Sequence, residues 1–218
     1  APPRGFELDP TMFYVLYLDG SARKRPPNSY GPGGVGVVLE EHLVRPDFNN
    51  WSASLSRVIF RLAEAVSVRA TPEVAEMLAF ARGMEVYSTM LPPRVVAHVG
   101  PLCAGNVWEP YVRFDRSAQE VHFALSHAHR RTPPAPHLRP ILDHIVHLQR
   151  RHGLLPFCDS THVRGHGRAG EGQGEVNLLA DQCAVTGGER AGTVAGQNDR
   201  ACVLWLASAV ASSPAAEP

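Results

Sequence analysis

The chain has 218 residues, 44% of them apolar, and its 21 basic and 21 acidic side chains balance to a formal charge of zero. That length and apolar content suit one large domain with a substantial core and exclude wholesale disorder. A zero net charge excludes a general electrostatic pull toward nucleic acid, so any basic surface is local.

Residues 1–11 are proline-rich and read as an N-terminal arm. The run "MFYVLYL" (12–18) reads as a strand buried on both faces. A Pro/Gly-rich stretch (26–34) then turns the chain into a second strand, "VGVVLE" (35–40), giving an antiparallel hairpin. Residues 41–60 are less regular and read as an insertion before a third strand near "AEAVSV" (63–68). "ATPEVAEMLAFARGMEV" (70–86) predicts a helix, with Thr71 as cap, Pro72 in the first turn and Val74, Leu78 and Ala81 on the buried stripe. "RVVAHV" (94–99) reads as a fourth strand, and 102–135 as a second insertion.

Further on, Leu138, Ile141, Leu142, Ile145 and Leu148 recur at helical spacing and predict an amphipathic helix over 136–153. "STHVRGH" (160–166) reads as a fifth strand, 167–174 as a glycine-rich loop, and 175–187 as a last helix. Residues 188–218 form a C-terminal extension. Its apolar run at 201–211 is too short to span a bilayer, so no membrane partner is expected. Cys103, Cys158, Cys183 and Cys202 form no C-x-x-C pair, which disfavours structural zinc and favours a reducing compartment. This element order predicts an α/β domain over 12–187, with a mixed sheet flanked by helices.

Asp19 raises the functional question. Asp19-Gly20 is a strong turn signal, and the carboxylate has no further role if a hairpin begins there. Alternatively, a carboxylate at the end of a rigid strand is placed to hold a metal ion. Glu76 taken alone is a solvated helix residue. His144 and His147, three apart, could ligate a metal, but a solvated helix face is the simpler reading.

Taken in order, "DGSA" (19–22), "TPEVAEMLA" (71–79) and "VRGH" (163–166) with "VNLLAD" (176–181) resemble the ribonuclease H family. The resemblance runs from about Val15 to Gly187. It implies a ribonuclease H-like fold with a mixed five-stranded sheet, three antiparallel strands followed by two parallel ones. It also implies Mg²⁺ held by Asp19, Glu76 and Asp181, with His166 assisting product release and Asn177 contacting the RNA strand. Ser21, Arg23, Lys24, Arg25 and Arg164 become candidate nucleic-acid contacts, against the alternative that the basic ones are solvated loop charges.

The family's remaining aspartate belongs at the end of the fourth strand, usually as Asp-Ser. With that strand at 94–99 the position falls on Val99, Gly100 or Pro101, and no Asp or Glu occurs between Glu85 and Glu109. Losing one charged ligand lowers metal affinity and transition-state stabilisation. The sequence therefore predicts a degenerate, inactive ribonuclease H-like module. Its expected partners are RNA or protein neighbours in a ribonucleoprotein assembly, by analogy the mitochondrial ribosome or its assembly machinery. A mitochondrial location follows from that analogy, with the cytoplasm or nucleus as alternatives. The competing expectation is an active Mg²⁺-dependent enzyme that cuts the RNA strand of RNA–DNA hybrids. A third is a sequence-independent binder of hybrid or double-stranded RNA.

Overall fold

The computed structural model describes residues 7–25, 29–46, 56–67, 70–91, 111–114, 136, 138–151, 160–162 and 172–193. Three long antiparallel strands form its centre: β1 (Phe13–Arg25), β2 (Ser29–His42) and β3 (Ser56–Ser67). All three extend beyond the sequence expectation. Asp19, Gly20 and Ser21 do not turn the chain, because they continue β1 and pair with Gly36, Val35 and Gly34. A long ladder to β2 outweighs the local turn preference of Asp-Gly, as tertiary context commonly does in sheets. The expected insertion at 41–60 shrinks from both ends, since β2 runs through His42 and β3 begins at Ser56.

Two short parallel segments extend the sheet beyond β1, in the order β3-β2-β1-β4-β5. β4 is Tyr111–Phe114, paired from Val15↔Tyr111 to Leu18↔Phe114. β5 is Ser160–His162, paired to β4. The segment beside β1 therefore comes from the stretch read as irregular, whereas 94–99 lies outside the described residues.

Helices cover the two faces of the sheet. α1 (Pro72–Thr89) starts as predicted, with the Thr71 hydroxyl accepting from the Val74 N–H at 3.2 Å. α1 is buried on more than one stripe, because β1 and β2 lie on one side and α2 (Arg139–Arg151) on another. Leu138, Ile141, Leu142, Ile145 and Leu148 are all buried, as the helical spacing predicts. Alternation along β1 sends Tyr14, Leu16 and Leu18 into this core.

The opposite face carries Val15, Tyr17 and Val38 against Ala180 of α3 (Gly172–Thr193). α3 begins inside the expected glycine loop and runs past residue 187, so the C-terminal extension cannot begin there. Glycine lowers helix propensity by about 1 kcal/mol without forbidding a helix that packs on a sheet. At the other terminus, Leu8 is buried and its N–H donates to the Met90 carbonyl at 2.9 Å. Asp9 exchanges backbone bonds of 2.8 and 3.0 Å with the Tyr14 hydroxyl. The end of the expected arm is thus part of the domain.

Candidate active site

Two glycines, one on each face of the β1–β2 ladder, bring two helices to Asp19. Gly20 faces α1, and a Cβ there would overlap Ala75 C and Glu76 N and lie 2.6 Å from Ala75 O. Only glycine lets the helix backbone come this close. Glu76 is thereby fixed beside the residue that follows Asp19. It is 2% exposed, which corrects its reading as a solvated helix residue.

On the other face, Asp19 pairs with Gly36, where a Cβ would overlap Ala180 O and sit 2.8 Å from Ala184 N. Odd positions of β1, Val15 and Tyr17, face α3, so alternation turns the 5%-exposed Asp19 the same way. Asp181, half-buried, follows Ala180 on that helix. Ala180, Ala184, Gly187 and Gly188 form the small-residue stripe that lets α3 lie close to the sheet. At about 100° per residue, Asn177 falls between Ala180 and Asp181 around the helix axis. It is 1% exposed, and among the described residues neither its Oδ1 nor its Nδ2 has a hydrogen-bond partner.

Asp19, Glu76, Asp181 and Asn177 are therefore carried by three elements that pack together at one part of the sheet. Among the described residues no three acidic, histidine or cysteine side chains already enclose a metal position. Ser21 is half-buried in β1 and pairs with Gly34. Lys24 and Arg25 continue the same strand, paired with Tyr30 and Ser29, and Arg23 lies at the irregularity between Ala22 and Lys24. Gly100, Arg164 and His166 lie outside the described residues.

His144 is not on a solvated face. It is 9% exposed, with Nε2 3.0 Å from Glu85 Oε1, and so joins α2 to α1. Arg82 extends the link, donating to Glu85 Oε2 at 2.9 Å and to Glu64 Oε2 on β3 at 2.6 Å. Burial alone would raise the Glu85 pKa, but the bonds from His144 and Arg82 outweigh it and hold the group below the ordinary glutamate range.

Sequence reasoning missed two features here. Gly36 interrupts the valine run of Val35, Val37 and Val38, and that was the available signal of a close helix approach. The buried set of Tyr17, Glu40 and His42 had no signal beyond its composition. The Tyr17 hydroxyl donates to Glu40 Oε2 at 3.3 Å, and His42 Nε2 lies 3.2 Å from the same oxygen. Among the described residues no helix is long and apolar enough to cross a membrane.

No family model and no curated protein matches the chain. Solved structures do. The chain is similar to the PFV RNase H domain, with a TM-score of 0.52 and 18% identity, covering 82% of this chain and 96% of that one. It is also similar to the prototype foamy virus protease-reverse transcriptase, with a TM-score of 0.50 and 18% identity over 86% of this chain and 22% of the longer viral one. The antiparallel three-stranded centre, its helices and these likenesses lead to one conclusion: the chain has a ribonuclease H-like fold.

Proposed function

We propose that the chain is a Mg²⁺-dependent ribonuclease H cleaving the RNA strand of RNA–DNA hybrids, and that its fourth carboxylate is Asp115 rather than a residue lost near Gly100. One observation carries this reading: β4, parallel to β1, pairs Phe114 with Leu18. Asp115 follows Phe114 in the chain as Asp19 follows Leu18. Asp115 itself is outside the described residues. If that register were continued by one residue, the two carboxylates would fall side by side, because neighbouring strands in register turn their side chains to the same face. The degenerate-module reading rested on a fourth strand ending at Val99. β4 beside β1 supports a different place for that carboxylate, and Asp115-Arg116-Ser117 approximates the family's Asp-Ser.

The donor chemistry fits Mg²⁺, a hard cation that takes carboxylate oxygens: Asp19, Glu76, Asp115 and Asp181 would hold it. Bound there, Mg²⁺ supplies the positive charge that phosphodiester hydrolysis needs at the leaving oxygen. The rest is positioning by the chain's own residues. β1 holds Asp19 on a rigid ladder, Gly20 fixes the approach of Glu76, and the small-residue stripe of α3 fixes Asp181. Asn177, with neither polar atom hydrogen-bonded among the described residues, lies one turn from Asp181 and could meet a 2′-hydroxyl or phosphate of the RNA strand.

Incubation of the purified chain with a labelled hybrid and Mg²⁺ tests the reading. Cleavage is expected, and Asp19→Asn and Asp115→Asn should each reduce it about a hundredfold or more. Gly100→Asp should gain nothing. A silent unmodified chain that becomes active through Gly100→Asp overturns the assignment, and returns the protein to a degenerate module binding RNA or protein neighbours.

A further inference from the structure

β3 is the outer strand of the sheet, and among the described residues it pairs with β2 alone. Such an edge is a template for further strand pairing, and proteins normally cover or interrupt it. Here it is twelve residues long. Val58 packs toward the α3 face and Ile59, Phe60, Leu62 and Val66 toward the α1 face, yet all five are only half-buried. The rim of the core is therefore incompletely covered on both faces.

α3 delivers the chain to this rim. Gly187 seats on the Glu64 backbone, and Arg190 Nη1 donates to the Ala63 carbonyl at 3.3 Å. The helix ends at Thr193. Next comes "VAGQNDR" (194–200), whose Gly, Asn and Asp favour turns. Those seven residues can span about 23–25 Å. Measured from Ala63, that reach covers β3 as far as Ser56, at about 3.3 Å per residue. The following segment, "ACVLWLASAVA" (201–211), has eleven residues, no charge, no proline and no glycine. It nearly matches β3 in length. A continuous apolar run suits a strand covered on both faces, which the two-sided rim of β3 offers.

We propose that residues 201–211 pair with the open edge of β3 as an added strand of the same sheet, covering the half-exposed rim and blocking edge pairing by a second copy of the chain.

Hydrogen exchange on the full chain, read by mass spectrometry, tests this without any variant. The outward amides of β3 and the amides of 201–211 should be protected together, at every protein concentration. Leu204→Pro removes a donor and disfavours the strand. It should speed exchange at the outward β3 amides about tenfold or more while β1 amides hold. Sedimentation of the same variant should reveal concentration-dependent self-association through the uncovered edge. Unprotected 201–211 amides in the unmodified chain overturn the proposal, and that reading stands even where Leu204→Pro fails to fold. So does protection of 201–211 without protection of β3, which means that the segment packs elsewhere. Protection of β3 that grows with concentration assigns the edge to a second copy instead.

Discussion

Asp19 and Gly36 are partners across the β1–β2 ladder, and Gly36 is where α3 rests on the face toward which Asp19 turns. The next residue of β1, Gly20, does the same for α1 on the other face. One carboxylate is thus held between two helices that approach because two side chains are missing. In each case an added Cβ would meet helix backbone, which cannot rotate away as a side chain can.

Gly20→Ala and Gly36→Ala are therefore expected to destabilise the fold by about 1–3 kcal/mol each, in the range of overpacked cores. Hybrid cleavage should fall further than stability explains, because displacement of α1 or α3 moves Glu76 or Asp181. Urea denaturation gives the first quantity, and turnover at a temperature where each variant is folded gives the second. A change below about 0.5 kcal/mol, the size of an ordinary surface substitution, would mean that the helices are not seated on these glycines.

The Glu64–Arg82–Glu85–His144 chain of contacts ties β3, α1 and α2 together and makes a pH prediction. The Glu85 pKa is depressed on folding, despite burial, by the bonds from His144 and Arg82. A depressed carboxylate contributes stability above its unfolded pKa, about 4.3 for glutamate, and loses it as pH falls through the folded value. Stability should therefore decline from about pH 4.3 downward, and Glu85→Gln should remove that part of the decline while lowering stability at neutral pH. Urea midpoints between neutral pH and pH 3 for both proteins provide the check. Parallel curves would assign the acid sensitivity to other carboxylates.

Much of the fold around the candidate site was legible because its signals are local. Thr71 and Pro72 mark the start of α1, the spacing from Leu138 to Leu148 marks α2, and motif order singles out Asp19, Glu76 and Asp181 as candidates. Strand lengths were less legible, because β1 continues through Asp-Gly only when β2 supplies partners for it. β4 was the costliest omission. Four residues carry little periodicity, and parallel pairing with β1 is a long-range contact that no local pattern announces. The expectation of a loss near Gly100 rests on 94–99, which lies outside the described residues.

Asn177 separates stability from function most directly. Its amide is buried with neither polar atom hydrogen-bonded to a described group. An unsatisfied buried polar group costs about 1–3 kcal/mol, whereas an apolar side chain of similar shape at the same place does not. Asn177→Leu is therefore expected to raise the stability of the free chain by about 1 kcal/mol. The same change removes the donor and acceptor proposed to meet the RNA strand, so hybrid affinity should fall about tenfold, the equivalent of one hydrogen bond of roughly 1.4 kcal/mol. Thermal unfolding without nucleic acid and hybrid titration at fixed salt measure the two effects separately. Opposite signs are the expected signature of a residue retained for binding at the expense of stability. Loss of stability together with unchanged affinity would make Asn177 a structural residue whose partners lie in the segments around α3.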